Sequence, residues 1–430
     1  MRHSYFAIIV VLFWSFLGTS VKLHGQEKDL SHIDVYLHTF DVGNLIYTNF
    51  GHTALRVKDN RSGRDLIYNW GIFDFKDPLS FSLDYYRGNL IYKLGIYPSR
   101  RAMQHYRREG RRIWEDQLVL SDHQKGLLLE KLAWNSRPEN RDYLYQYFFD
   151  NCSTRPRDFI DYALGGALAE KTKGVDRGKS FRQMVRDGYT FNPWMDVILE
   201  IGMNSRIDRN MTRWESMFHP IELRNELFEL RINGQSIIGE SHQIFDGKVL
   251  QPLSFDVFKF LFLILGVPVL LALACLQYVA LKKDKDKDYK SRLSSWALRI
   301  TGFVGFIFFL IGGIFGILIP LNWIFSGHQD LHHNANMILF FPFDIFLAPI
   351  FAKLCLKGKS LEFGVRFGDL LRKYMIVHLV LVMALFSAWL LDGIGQSLDR
   401  VVYLSPLLVL LLSILKNFGM TDLRKEAKTL

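Results

Sequence analysis

The sequence Asp150-Asn151-Cys152-Ser153-Thr154-Arg155 carries the only cysteine in residues 1–252 of this 430-residue chain. It begins a predicted helix that extends over residues 152–164 and follows a series of predicted strands. A lone thiol outside the cytoplasm cannot form a disulfide within its own chain, so we expect a reactive cysteine. The alternative is that Cys152 is simply a small buried side chain.

A histidine begins a predicted strand earlier in the chain, in Phe50-Gly51-His52-Thr53-Ala54-Leu55-Arg56-Val57. An imidazole can remove the proton of a thiol, and a helix N-terminus favours the thiolate, so His52 and Cys152 form a candidate catalytic pair. Backbone amides at the start of the same helix could hold an oxyanion, with Asn151, Ser153 and Arg155 as candidate contacts. The alternative for His52 is a strand histidine with an ordinary hydrogen-bond partner.

The order of periodic patterns predicts an α+β domain. Apolar and polar residues alternate in residues 33–40, 52–58, 66–70, 90–97 and 113–120, as is typical of strands. The pattern then becomes helical, beginning with a capping-box match from Ser121 to Gln124. Strands that precede a cysteine-bearing helix favour the α+β class.

Both ends of the chain indicate a membrane protein. Arg2 and His3 precede a short apolar run in residues 6–17, which predicts a signal peptide or N-terminal anchor in residues 1–25. Five later apolar segments predict membrane-spanning helices, at residues 255–281, 300–325, 337–356, 374–391 and 401–415. We therefore expect a periplasmic domain with a helical annex (26–252), a membrane domain (253–418) and a cytoplasmic tail (419–430).

Loop charges orient the predicted spans. Lysine and arginine are concentrated in residues 282–299, in residues 353–373 and after residue 415, whereas residues 321–336 contain neither and residues 392–400 contain only Arg400. The positive-inside rule places the soluble domain outside and the C-terminus in the cytoplasm of a multi-pass inner-membrane protein. These loops explain most of the net charge of +10, so we expect contact with anionic lipid and no nucleic-acid partner.

Three motifs closely resemble those of the DUF4105 proteins, which are associated with the Lnb-type lipoprotein N-acyltransferases of Bacteroidota. They are the histidine and cysteine motifs above and Tyr68-Asn69-Trp70-Gly71-Ile72-Phe73-Asp74-Phe75. The resemblance extends to Phe218-His219-Pro220 and, in the membrane half, to a pattern formed by His328, Asn334, Asn336 and Pro342.

The resemblance implies a circularly permuted NlpC/P60-like, papain-type fold, in which the histidine strand precedes the cysteine helix. Such sites usually contain a third polar group that orients the imidazole, and Asn69 is the first choice with Asp74 as the alternative. Either residue could instead be a turn or cap residue. His328, Asn334 and Asn336 would contact a lipid headgroup or substrate, although a plain hydrated loop is an equally good interpretation.

The implied activity is acyl transfer between two membrane-anchored partners. Cys152 would take an acyl chain from a membrane phospholipid as a thioester and pass it to the α-amino group of a diacylglyceryl-cysteine lipoprotein. No cofactor and no metal is expected. The competing interpretations are an NlpC/P60-type cysteine peptidase or amidase acting on cell-wall peptide, which has no need of five spans, and a non-catalytic membrane-anchored binding module, which needs neither Cys152 nor His52.

Overall fold

The computed structural model describes residues 28–43, 48–73, 77–251, 255–281, 287–415 and 419–421. The predicted signal or anchor, Asp74 and most of the predicted tail lie outside these ranges. The N-terminal domain is rich in strands and the C-terminal region is helical, so the α+β prediction is confirmed at this level.

The N-terminal domain is built around one antiparallel sheet. The strands of this domain are β1 (Ile33–Phe40), β2 (His52–Asp59), β3 (Asp65–Ile72), β4 (Ile91–Pro98), β5 (Ile113–Leu118), β6 (Asp142–Leu144), β7 (Asp176–Ser180), β8 (Asn210–Thr212), β9 (Arg231–Ile232), β10 (Gln235–Ser236) and β11 (Ile238–Phe245). Seven of them form the sheet, in the order β11-β5-β1-β2-β3-β4-β6. The five predicted strands are all present, with ends that differ by at most two residues.

Helices cover both faces of the sheet. The helices of this domain are α1 (Pro78–Arg87), α2 (Ser99–Arg108), α3 (Asp122–Asn135), α4 (Thr154–Ala163), α5 (Ala167–Thr172), α6 (Phe181–Gly188), α7 (Pro193–Gly202), α8 (Arg213–Ser216) and α9 (Pro220–Glu229). The predicted capping box is present at the start of α3, where Ser121 and Gln124 bond each other's backbone amides. The cysteine-bearing helix begins two residues later than predicted, so Cys152 lies in the turn before α4.

Successive side chains of a strand point to opposite faces of the sheet, so the position of a residue in the strand decides which helix its side chain contacts. Ile67 packs in one apolar cluster with Ala102 and Tyr106 of α2. Trp70 points to the opposite face, where its ring centroid lies 4.9 Å from that of Phe159 in α4. The sheet is therefore sandwiched between α2 and α4.

The C-terminal region contains long apolar helices. They are α10 (Val257–Leu261), which continues through a π-helical turn into α11 (Val267–Leu281), then α12 (Lys287–Phe325), α13 (Ala348–Lys357), α14 (Val365–Leu390) and α15 (Ser405–Leu415). Two short strands, β12 (Glu362–Gly364) and β13 (Gly419–Thr421), pair in parallel.

Three of the described helices are long and apolar enough to cross a membrane, namely Val257–Leu281, Ser291–Phe325 and Val365–Leu390. The pair Gln329–Met337 and Pro342–Lys357 is bent by 60° and makes a fourth span if it is counted as one. Proline has no amide hydrogen and disfavours helix in the residue before it, which explains a break at Pro342. The fifth predicted segment is a shorter apolar helix, Val401–Ile414, so the prediction of five spans is not confirmed.

The two halves of the molecule are joined by polar contacts. The Gly327 amide after α12 donates to the Arg87 carbonyl at the end of α1 (2.8 Å). Arg400, between α14 and α15, makes two hydrogen bonds to the Asp196 carboxylate in α7 (2.8 and 2.7 Å). The loops of residues 321–336 and 392–400 therefore lie on the same side of the membrane region as the N-terminal domain.

Candidate functional site

His52 and Asn69 meet on the face of the sheet that α2 covers. His52 begins β2, and its Nε2 lies 2.6 Å from Oδ1 of Asn69 in β3. With the amide oxygen as acceptor, the ring proton belongs on Nε2, which leaves Nδ1 free to accept a proton. Asn69 therefore stabilises the tautomer with the proton on Nε2, in which Nδ1 can act as a base.

Tyr106 fixes the orientation of the Asn69 amide. The Asn69 Nδ2 group donates to the Tyr106 hydroxyl (2.9 Å), so Oδ1 must face the imidazole. The Tyr106 ring stacks on Phe40 with a centroid separation of 3.7 Å and lies 5.9 Å from the His52 ring. Tyr106 was not among the predicted site residues, and its only signal in the sequence is its place on the apolar stripe of an amphipathic helix.

Cys152 approaches His52 across a glycine. A Cβ atom added to Gly71 would lie 3.4 Å from the Cys152 Cβ and 3.5 Å from the His52 Cε1, so both side chains flank this one residue. The φ angle of Gly71 is +104°, a left-handed conformation that favours glycine. The structure thus brings together Cys152, His52 and Asn69, while Asp74 lies outside the described residues.

The thiol and the imidazole are both neutral at rest. Burial raises the pKa of the Cys152 thiol to about 11, although the Thr53 amide, the Arg111 charge and the amide of Cys152 itself act to lower it. Burial also lowers the pKa of His52 to about 4, and Arg111 adds to this effect. Both pKa shifts therefore favour the neutral thiol over the thiolate that the helix position predicts.

Asn151 occupies two backbone amides at the start of the cysteine-bearing helix. Its Oδ1 accepts hydrogen bonds from the amides of Ser153 (2.8 Å) and Thr154 (2.9 Å), so these donors are occupied. Its Nδ2 donates to the carbonyls of Tyr147 (2.9 Å) and Phe218 (3.0 Å). Asn151 is therefore a cap that anchors the cysteine turn.

Ser153 and Arg155 also make internal contacts. The Ser153 hydroxyl is fully buried and donates to the Met217 carbonyl (2.8 Å). The Arg155 guanidinium pairs with Asp150 (2.6 Å) and lies 4.2 Å from the centre of the Tyr143 ring. Asn151, Ser153 and Arg155 therefore support the turn, and their role as oxyanion or substrate contacts stays a prediction.

The amides that point to the sulfur come from Thr53 and from Cys152 itself. Thr53 is available because β2 pairs with β3 only from Leu55 onward. Two amides beside the attacking atom are an arrangement that can hold a developing oxyanion. The Thr53 amide has no side-chain signature, so the sequence offered no sign of it.

Two of the predicted membrane-loop contacts are buried between the halves of the molecule. The Nδ2 groups of Asn334 and Asn336 both donate to the Ile201 carbonyl of α7 (2.8 and 2.9 Å). Both side chains are at most 2% exposed. These asparagines therefore join the loop to α7, and their contact with a headgroup or substrate stays a prediction, whereas His328 is partly exposed in the same loop.

The chemistry available to the site follows from these groups. A thiol, a neutral imidazole with a free Nδ1 and two amide donors are sufficient for attack on a carbonyl by general-base catalysis. Among the residues that the structure describes, no group of three or more His, Cys, Asp or Glu side chains could hold a metal ion.

Comparison with known families agrees with the division into two halves. Residues 22–186, which include all three site residues, match the family model described as the Lnb N-terminal periplasmic domain. Residues 290–423 match the model described as the Lnb transmembrane domain. No curated protein and no solved structure matches the chain.

Proposed function

The chain is a member of the Lnb family, and we propose that it is a cysteine-dependent lipoprotein N-acyltransferase. The matched domains are periplasmic and transmembrane, and the three to four apolar spans fit a multi-pass membrane protein. The proposal includes a place in the bacterial inner membrane with a cytoplasmic C-terminus, five spans, a permuted NlpC/P60-like fold and membership of the DUF4105 proteins of Bacteroidota.

The observation that carries the proposal is the placement of Cys152 and His52 on either side of Gly71, with Asn69 bonded to the imidazole. In the first half-reaction, Nδ1 of His52 takes the thiol proton while the sulfur attacks an ester carbonyl of a membrane phospholipid. The amides of Thr53 and Cys152 hold the oxyanion. The ester C–O bond then breaks, and His52 returns the proton to the departing oxygen, which leaves a thioester and a lysophospholipid.

The second half-reaction reuses the same groups. The free α-amino group of a diacylglyceryl-cysteine attacks the thioester carbonyl, and His52 takes the proton that the amine releases. The C–S bond breaks as the amide forms, and the imidazolium protonates the departing thiolate. The neutral pair at rest is regenerated, in agreement with the pKa directions of the two groups.

The contact between the two halves favours a substrate in the bilayer. Ile201 of α7 packs in the same apolar cluster as residues of the membrane helices, and Arg400 and Asp196 form a bidentate ion pair beside it. The thiol is thus held at a set position relative to the membrane region. A peptidase that acts on soluble wall peptide has no need of this attachment.

The test is to trap the intermediate. Purified protein that is supplied with phospholipid but no lipoprotein should gain one fatty-acyl mass, which neutral hydroxylamine removes and which the Cys152→Ser variant does not acquire under the same conditions. Addition of a diacylglyceryl peptide should move the acyl group to the N-terminus of that peptide. Cleavage of wall peptide without an adduct would support the peptidase, and an adduct on Cys275 or Cys355 would contradict catalysis by Cys152.

A further inference from the structure

A cavity of about 480 Å³ shares lining residues with the candidate site. Its lining includes Asn69, Ile72 and Tyr106. Asn69 is the residue bonded to His52, and Ile72 follows the glycine that separates the imidazole from the thiol. A molecule in this cavity would contact Asn69 and Tyr106, the two side chains that orient the imidazole, and the volume is typical of small-molecule sites.

One wall of the cavity is cationic. Arg101, His105 and Arg108 of α2 line it and are exposed, and α2 has no acidic residue. His105 pairs with Glu109 just after the helix (3.2 Å), and Glu109 also contacts Arg111. Within the ranges that the structure describes, neither Arg101 nor Arg108 has a carboxylate partner.

The cavity lies close along the chain to a contact with the membrane half. Ile72 of its lining ends β3, and α1 is the next helix in the sequence. The carbonyl of Arg87, the last residue of α1, accepts a hydrogen bond from the Gly327 amide, which follows a membrane helix.

We propose that this cavity binds the phosphodiester of a glycerophospholipid, with Arg101 and Arg108 as its ligands. Guanidinium groups bind phosphate through paired, charge-assisted hydrogen bonds, and unpaired arginines at a cavity suit that ligand. The phosphate and the two acyl esters of such a lipid are carried by different carbons of the same glycerol, so a phosphate bound in a cavity lined by Asn69 would bring an ester towards His52 and Cys152. The inference rests on the proposed function for its substrate and adds the part of the molecule that recognises it.

Binding can be measured without turnover in the full-length Cys152→Ala protein. Titration with dihexanoyl-phosphatidylethanolamine should give saturable binding, and the added substitutions Arg101→Gln and Arg108→Gln should weaken it by at least about tenfold. The matched control carries Arg100→Gln and Arg107→Gln, which remove the same charge from the same helix outside the cavity. It should bind within about twofold of the parent.

Two further ligands separate the sources of a phosphate signal. Dihexanoylglycerol, which has the esters but no phosphate, should bind weakly and equally to both double variants. Inorganic phosphate should compete only at much higher concentration than the lipid. Equal affinities of the two double variants for the phospholipid would overturn the inference, as would inorganic phosphate that binds as tightly as the lipid.

Acylation of the protein that retains Cys152 distinguishes failure of the inference from failure of the proposed function. The Arg101 and Arg108 substitutions should raise the phospholipid concentration for half-maximal thioester formation and leave the rate at saturation nearly unchanged. An unchanged half-maximal concentration would overturn the inference while the proposed function stands. Arginine-dependent lipid binding without any thioester in the unsubstituted protein would overturn the proposed function and leave a phospholipid site.

Discussion

The resting protonation state of Cys152 predicts how the thiol reacts with a small alkylating reagent. With Cys275→Ala and Cys355→Ala, Cys152 is the only thiol in the chain. A pKa of about 11 means that roughly one molecule in 10⁴ carries the thiolate at about pH 7. Because iodoacetamide reacts with the thiolate, we expect its rate to rise about tenfold per pH unit between about pH 6 and pH 10.

The imidazole should contribute little to this reaction. Burial raises the pKa of Cys152 to about 11 and lowers that of His52 to about 4, so it opposes transfer of the proton from the thiol to the imidazole. We therefore expect the neutral pair to predominate at rest. His52→Ala should change the alkylation rate by no more than about threefold, yet it should slow thioester formation by about 10²–10⁴, since general-base catalysis is lost.

The assay follows the mass of the intact protein against time at each pH, with Cys152→Ser in the same background as the control for other sites. Thioester formation should be independent of pH above about pH 5, because His52 with a pKa of about 4 is already neutral there. A plateau of fast alkylation between about pH 5 and pH 8 that disappears in His52→Ala would refute the reasoning, since only a preformed thiolate–imidazolium pair behaves in that way.

Three other predictions test the site and its attachment. Asn69→Ala leaves the imidazole and a tyrosine hydroxyl without their partner, so thioester formation should slow by about tenfold or more and unfolding should cost about 1–3 kcal/mol less; an unchanged single-turnover rate would contradict its orienting role. Arg400→Gln leaves the mostly buried Asp196 carboxylate with a weaker partner and should lower the thermal midpoint by about 2–4 °C, since about 1 kcal/mol corresponds to that shift in a large domain; an unchanged midpoint would mean that this ion pair does not hold the halves together. A cysteine at Gln329 should react with an impermeant thiol reagent in spheroplasts and one at Lys359 should not, and the reverse pattern would invert the topology.

Local periodicity was enough to predict five of the seven strands of the sheet. The alternation of apolar and polar residues reflects burial of one face of a strand, and this pattern survives in any register of the sheet. The capping box before α3 was equally predictable, because both of its hydrogen bonds lie within four residues. Spans were harder to predict: hydropathy alone did not show that a segment bends at Pro342.

Only part of the candidate site could be predicted from the sequence. The motifs around His52, Asn69 and Cys152 identified the residues that the structure brings together. Tyr106 and the Thr53 amide were missed because their roles depend on the packing of α2 and on where the pairing of β2 with β3 begins. Neither the packing of α2 nor the point at which β2 begins to pair with β3 can be inferred from the order of residue types.

The sequence by itself determined five strands of the sheet, the two halves of the chain and the types of groups available for chemistry, because these follow from local patterns and hydropathy. Only the tertiary structure decided that Asn151 occupies the helix amides beside Cys152 and that burial leaves the thiol and imidazole neutral. It alone decided that Asn334 and Asn336 are buried against α7. Protonation and burial depend on neighbours that are distant along the chain, and only folding brings those neighbours into contact.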